Sequence, residues 1–250
     1  MRLARVALNE LAAVRGEPQL AGGVRFPLLS TALLRSEHGE ESVAVEISTR
    51  GADYRNAFTG VGHYAYTESA TSPTFMSGVE VRLSDFIDHL SAQNRRSDGG
   101  SDGDDPTIYL AQFPLSPSLT ALCPPPCPAV PADAAQRHMW LGGAGVSTPM
   151  HRDPYENVYT VVEGEKEVWL VPSEHEKGLY PFAEPLFLRN TSRIRHPERA
   201  LTGEDPDFAL AAKIPRYRVR VRAGEALYIP KRMWHFVRSV QPTLAVSYWW

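Results

Sequence analysis

The sequence predicts a mainly β protein with peripheral helices, folded as a sandwich or small barrel, and two observations predict it. From Thr107 onward, eight short apolar or alternating segments follow one another: Thr107 to Ala111, Met139 to Gly142, Glu156 to Glu163, Lys166 to Val171, Tyr217 to Val221, Ala226 to Ile229, Phe236 to Val240 and Leu244 to Trp249. Gly and Pro interrupt them throughout, as antiparallel β structure requires.

The other elements follow in chain order. Leu3, Val6, Leu8, Leu11 and Val14 are spaced as on a short helix, and Gly22-Gly23 then breaks the chain, so the structured core is expected to begin near Phe26. Ser42 to Ser48, Ser-Val-Ala-Val-Glu-Ile-Ser, alternates as a strand. Val79 to Leu90 places Val81, Leu83, Phe86, Ile87 and Leu90 at helical spacing, with Ser84 as its cap. Ser97 to Asp105 is polar, acidic and glycine-rich, a mobile surface loop and not a metal site. Thr160 to Lys166 reads as a hairpin turning at Gly164, and Arg222 to Glu225 as a second tight turn. Pro172 to Pro215, rich in Pro and Arg, reads as an insertion with short helices. No internal repeat is apparent.

A chain of 250 residues, 43% hydrophobic, holds one substantial core, so one domain is expected. A net charge of -3 supplies no basic field for phosphate binding, which argues against direct nucleic-acid binding and toward a protein or small-molecule partner. Asn9, Glu10, Arg15 and Glu17 break up the N-terminal apolar residues, so no signal-peptide core forms, and no membrane-spanning run occurs. Cys123 and Cys127 lie in Cys-Pro-Pro-Pro-Cys with no second pair to complete a zinc site, so free thiols in a surface loop are expected. The cytosol or nucleus is the expected compartment.

The chemistry concentrates in His151-Arg152-Asp153 and His235. With eight histidines in the chain, the tripeptide alone arises by chance in roughly one such sequence in three, so its setting carries the argument. On a strand edge His151 and Asp153 share a face and Arg152 points away. His235 opens a strand whose inward residues are His235, Val237 and Ser239. Two imidazoles and a carboxylate can hold one face of Fe(II) and leave the other free for chemistry. His175 and His196 are weaker third ligands, and His38, His63, His89 and His138 have no motif around them. Lys166 shares a face with Val168 and Leu170 and points inward, where an ammonium needs an anion. A dicarboxylate co-substrate chelating the metal at its other end supplies one. Arg238, the rival anchor, faces outward.

Ser147-Thr-Pro-Met-His-Arg-Asp-Pro-Tyr-Glu-Asn-Val-Tyr-Thr-Val-Val-Glu-Gly-Glu-Lys166, followed by Ala223-Gly-Glu-Ala-Leu-Tyr-Ile-Pro-Lys-Arg-Met-Trp-His235, resembles the Jumonji-C (JmjC) branch of Fe(II)/2-oxoglutarate oxygenases. The likeness runs from about residue 30 to residue 250, and is greatest to the small JmjC-only protein lysyl hydroxylases of the jumonji domain-containing protein 7 type. It implies a cupin-like double-stranded β-helix, or jelly roll, over 30–250, with 1–29 a short N-terminal segment truncated relative to the family. It implies His151, Asp153 and His235 as iron ligands and catalytic centre, and Lys166, Thr148 and Tyr109 as binders of the distal carboxylate of 2-oxoglutarate. Asn157 then sits near the metal-proximal carboxylate, and Tyr155, Tyr159, Trp234 and Trp249 line the site or the substrate entrance. Ser247 stands where related enzymes often place Asn.

The resemblance further implies O2 as oxidant, succinate and carbon dioxide as products, and a protein substrate, with a homodimer allowed. No residue of the sequence identifies an amino-group receptor, so lysyl specificity rests on likeness alone. A JmjC lysine demethylase and a non-catalytic cupin-fold binding module are the alternatives. Lys166 argues against a cupin dioxygenase that uses no keto acid.

Overall fold

The structure is a computed structural model that describes residues 1, 3–11, 16–26, 29–48, 57–58, 64–65, 75–97, 107–133, 135–184 and 186–250. Fifteen strands are described: β1 Ala4–Arg5, β2 Gln19–Gly22, β3 Ser42–Ser48, β4 Ala57–Phe58, β5 Tyr64–Ala65, β6 Phe75–Arg82, β7 Thr107–Pro114, β8 Gln136–Gly142, β9 Ser147–His151, β10 Asn157–Glu163, β11 Glu165–Val171, β12 Tyr217–Arg222, β13 Glu225–Ile229, β14 Trp234–Ser239 and β15 Thr243–Trp249. Four α-helices accompany them: α1 Thr31–Glu37, α2 Leu83–Ser97, α3 Pro117–Leu122 and α4 Pro197–Thr202. One sheet has the order β1-β2-β13-β10-β15-β8-β7-β3-β6 and a second the order β12-β11-β14-β9, while β4 and β5 pair separately. All eight strands expected after Thr107 form, and the fold is mostly β, with peripheral helices as expected.

Strand alternation sorts the side chains into three apolar layers. Val168, Leu170, Val221 and Val237 of the smaller sheet meet Tyr159, Val161, Leu227 and Ala245 of the larger one in the interior between them. The outward residues of the larger sheet, among them Val158, Val246 and Tyr248, pack under Leu34 of α1, Phe86 and Ile87 of α2 and Leu119 of α3. On the far side, Trp169, Trp234 and Phe236 of the smaller sheet are covered by Leu179, Ile194, Ala200 and Ala211. Those four residues belong to the insertion, which is built of α4 and short 3-10 turns as expected.

Gly164 does turn the chain, but not within a hairpin ladder. β10 pairs with β13 and β15, whereas β11 pairs with β12 and β14, so the glycine turns a corner from one sheet to the other. Gly224 makes the opposite crossing between β12 and β13, and the corners are tied by Ala223 N–H to Gly164 O (3.1 Å) and Gly224 N–H to Val161 O (2.9 Å). Turn chemistry specifies the reversal and leaves the pairing partners to the register of distant strands.

Three local expectations are corrected. No α-helix forms at the N-terminus among the described residues: a 3-10 turn covers Leu8–Glu10, and β2 adds a strand against β13, with β1 at the edge beyond it. Leu11, Leu20, Ala21 and Val24 are buried, so the core begins well before Phe26. The Val79 to Leu90 segment divides at Arg82, because Val79 and Val81 pair with Val45 and Val43 of β3, and α2 starts at Leu83. The first amides of α2, Leu83 N–H and Ser84 N–H, donate to the carbonyls of Glu41 (2.9 Å) and Gly39 (3.0 Å). Ser84 is therefore inside the helix rather than its cap. Residues 98–105 of the expected acidic loop lie outside the described residues.

Gly164 has φ +83°, and a Cβ there would stand 2.1 Å from the Pro242 carbonyl oxygen. Gly164→Ala should lower unfolding free energy by roughly 2–4 kcal/mol in denaturant titration. Gly22→Ala, which meets nothing within 4 Å, should change it by less than about 0.5 kcal/mol. Equal effects would contradict the corner geometry.

Candidate metal and co-substrate site

β9 and β14 run antiparallel at the centre of the site, with His235 opposite His151. The two ring centroids are 4.2 Å apart. Asp153, two residues past the end of β9, places Oδ2 3.6 Å from His151 Nε2 and 3.5 Å from His235 Nε2. Among the described residues this is the one His/Cys/Asp/Glu group whose donor atoms all lie within 4.8 Å of one another. Each ring is oriented from behind: His151 Nδ1 lies 2.7 Å from the Pro149 carbonyl and His235 Nδ1 lies 2.9 Å from that of Met233. Donation from Nδ1 leaves both Nε2 lone pairs facing Asp153, the tautomer a metal needs. Asp153 Oδ2 is buried and has no hydrogen-bond partner among the described residues. Two nitrogens, one orphaned carboxylate oxygen and open space on one side fit a facially bound Fe(II).

Burial pushes the Asp153 carboxyl up, but the nearby imidazoles of His151, His235 and His138 outweigh it and hold it below the ordinary range. Burial, reinforced by the adjacent His151, lowers His235 to about 4 and favours the neutral ring that ligates. His151 is raised: burial opposes its protonation, and attraction to Asp153 prevails.

A small cavity opens beside the triad, lined by Tyr109, Thr148, Asn157, Tyr159, Ser247 and Trp249 together with the ligands. Asn157 Oδ1 and the Tyr159 hydroxyl are buried there without partners among the described residues. Lys166 stands next to Tyr109, its Nζ 5.2 Å from that ring's centroid and donating to Ser239 Oγ at 2.7 Å. It is 1% exposed, and burial lowers its ammonium to about 7. The Tyr109 hydroxyl is hydrogen-bonded with Thr148. A buried cation and a hydroxyl pair near one end of the cavity, with a metal triad at the other, suit a keto dicarboxylate that bridges them. Arg238 points outward, as expected, onto Glu167 Oε2 at 2.7 Å.

Of the four aromatics expected to line the site, Tyr159 and Trp249 do so. Tyr155 stacks behind Trp249, with centroids 5.6 Å apart. Trp234 does not line it: as the neighbour of His235 on β14 it points the other way and is fully buried in the outer layer. Ser247 faces the cavity and accepts a hydrogen bond from Trp140 Nε1 at 2.8 Å. His175 and His196 stay outside the triad, in the insertion. The thiols of Cys123 and Cys127 are free, yet buried in the outer layer rather than in a surface loop, and burial pushes Cys123 up to about 12.

Two functional candidates escaped the sequence reading. His138 is buried on β8, 4.7 Å from the Trp249 ring, and its Nδ1 has no partner among the described residues. Only the register Ser247↔His138 brings it there, and no local motif signals it. Glu46 is 3% exposed and lies opposite Tyr109 across β3 and β7, both its carboxyl oxygens without partners among the described residues. Burial raises it to about 8. Val43 and Val45 face the helices, so alternation turns Glu46 toward the Tyr109 side of the sheet. A lone acid among valines in Val-Ala-Val-Glu-Ile was the available signal.

Comparison with known proteins agrees with this geometry. Residues 29–250 match the cupin-like domain family. The chain belongs to that family. It is 34% identical over 147 residues to a protein of Arabidopsis thaliana named lysine-specific demethylase JMJ30, which covers 57% of this chain and 33% of that one. It is 36% identical over 151 residues to Jumonji C domain-containing protein 5 of Drosophila melanogaster, over 57% of this chain and 36% of that protein. A longer match, 27% over 233 residues, joins it to lysine-specific demethylase JMJ31 of Arabidopsis thaliana, over 80% of this chain and 42% of the relative. The match to the first two thus spans about a third of their length. In this cupin-like domain, similar over 57% of its length to a protein named for a Jumonji C domain, the triad and cavity fit Fe(II), 2-oxoglutarate and O2.

The depressed Lys166 value fixes the sign of a pH effect. Between about 7 and the ordinary value of 10.5 the unfolded chain holds a proton that the folded chain releases, so stability rises with pH across that window. Below it the whole penalty remains. Without co-substrate, Lys166→Met should stabilise the fold at pH 6 by roughly 1–4 kcal/mol, less at pH 9, while removing 2-oxoglutarate binding. A gain that grows with pH, or retained binding, would contradict the assignment.

Proposed function

We propose that this protein is an Fe(II)/2-oxoglutarate-dependent oxygenase that hydroxylates a lysyl side chain of a partner protein. The observation that carries the oxygenase reading is the convergence of His151, Asp153 and His235 beside a cavity whose Tyr109 wall stands next to the buried Lys166 ammonium. When bound, iron with 2-oxoglutarate and O2 supplies the oxidising chemistry: the keto acid leaves as succinate and carbon dioxide, and one oxygen atom enters the substrate C–H bond. The protein's own work is placement. His151, Asp153 and His235 would hold the metal, Lys166 with Tyr109 and Thr148 the distal carboxylate, and Asn157 the carboxylate nearer the metal. Tyr159, Val237 and Trp249 wall the cavity and limit water at the reacting carbon.

Lysyl specificity is supported by the resemblance of the Ser147-to-Lys166 and Ala223-to-His235 stretches to JmjC-only protein lysyl hydroxylases. The second reading is removal of an N-methyl group from lysine, favoured by the names of the two Arabidopsis thaliana relatives, both called lysine-specific demethylases. Both reactions consume the same co-substrates and differ in the product: a hydroxylated peptide is heavier by one oxygen, and a demethylated one loses a methylene with release of formaldehyde. A non-catalytic binding module is disfavoured because the triad is complete. In this reading the protein works in the cytosol or nucleus on a protein substrate, as a monomer or homodimer. Among the described residues no helix is long and apolar enough to cross a membrane.

Two experiments follow. His151→Ala and Asp153→Ala should bring 2-oxoglutarate turnover to background in a succinate assay, and succinate release at the unaltered rate would end the oxygenase reading. Mass spectrometry of lysyl and N-methyl-lysyl peptides after incubation with the enzyme decides between oxygen gain and methylene loss.

A further inference from the structure

Asp153 is the metal-ligand candidate that the sheet does not hold. β9 ends at His151, so the carboxylate sits on irregular chain, and its position must be set by something other than a strand ladder. The insertion supplies the contacts. Ser192 N–H donates to Met150 O (2.9 Å), and a bridge pairs His151 with Thr191. Arg152 N–H donates to Asn190 O (2.9 Å), and Asn190 Nδ2 donates back to Arg152 O (3.2 Å). On the other side Arg232 N–H donates to Asp153 O (2.9 Å), from a residue held at φ +64°.

The Arg152 side chain closes this frame. Pointing away from the ligands, its guanidinium lies over the Trp234 ring, 5.1 Å from the centroid, and its Nη1 meets Glu176 Oε2 at 2.6 Å. Arg152 is the chain neighbour of His151 and Asp153, and Trp234 is the chain neighbour of His235. The stack therefore joins, outside the sheet, the same two segments whose ligands converge inside it. A planar cation on an indole, neutralised by a carboxylate and half-buried, is a contact with a defined orientation.

We propose that Arg152 is a positioning residue for the metal: braced by Trp234, Glu176 and Asn190, it sets the Asp153 carboxylate against the two imidazoles. The insertion is then part of the metal site's frame rather than a decoration on the barrel. The inference rests on the metal reading of the triad, and groups of this kind that orient ligands from outside typically alter metal affinity by 10- to 100-fold.

The test is a Co(II) titration of the metal-free protein, followed by the cobalt ligand-field absorption, with the melting temperature of the metal-free form measured in parallel. Arg152→Ala is expected to weaken Co(II) binding by about 10- to 100-fold and to shift the ligand-field bands. Arg152→Lys, which keeps the charge and loses the planar stack, should recover only part of the affinity. Arg189→Ala, on the exposed side of the insertion, should change neither reading. Wild-type affinity and spectrum in Arg152→Ala would overturn the inference, as would a loss of affinity with an unshifted spectrum that merely tracks a fall in melting temperature. Should Arg152→Ala not fold, Glu176→Gln decides: weaker Co(II) binding supports the brace, and unchanged binding overturns it. Failure of the wild type to bind Co(II) would instead defeat the metal reading itself.

Discussion

The antiparallel pairing of β9 with β14 is the constraint on which the rest of the site depends. It sets His235 opposite His151 and, through alternation, sends Val237 and Ser239 inward beside them while Trp234 and Phe236 go outward. A slip of one residue would exchange His235 for an indole at the ligand position. The same strand pairs with β11 so that Ser239 lies opposite Lys166, which places the ammonium within reach of a hydroxyl in an otherwise apolar layer. One strand thus fixes both ends of the cavity. The outer apolar layer, with the insertion pressed onto Trp234 and Phe236, holds that strand in register.

The interior is polar where a core would ordinarily be apolar. Glu46, Asp153, Asn157 and Tyr159 each bury an oxygen with no partner among the described residues, and the buried Lys166 ammonium donates to a neutral serine hydroxyl. Each such group weakens the fold by roughly 1–3 kcal/mol if nothing binds it. The larger apolar layers on either side offset that loss. A site of this kind is preorganised at the expense of the empty fold, and it recovers stability from the metal and dianion that would occupy it. The depressed Lys166 and raised Glu46 values are the same fact in electrostatic form: each group is held away from its charged state until an opposite charge arrives.

Much of this was legible in the sequence because strands declare their faces. Period-two alternation identified the strands after Thr107, the inward set His235, Val237 and Ser239, the inward Lys166 and the outward Arg238. The same alternation, applied to Trp234, excludes it from the cavity. What was not legible depended on distant partners. β1 and β2 are too short to show a period, and they are strands only through their pairing with each other and with β13. Val79, Val81 and Leu83 satisfy both a strand and a helix spacing, and only pairing with β3 divides them at Arg82. Gly164 announces a reversal without saying that the next strand joins another sheet. His138 reaches Trp249 through the register of β8 against β15, which no local pattern encodes.

The central claim, that one ion and one keto acid occupy this convergence together, is tested most directly by anaerobic spectroscopy of the protein with Fe(II) and 2-oxoglutarate. Chelation of Fe(II) by a keto acid gives a visible charge-transfer absorption that neither component shows alone. The account predicts that this band appears on adding the keto acid to the iron-loaded protein and saturates at one equivalent per chain. It also predicts that the band is absent from His235→Ala. No band at saturating co-substrate, or a band that survives loss of His235, would contradict it.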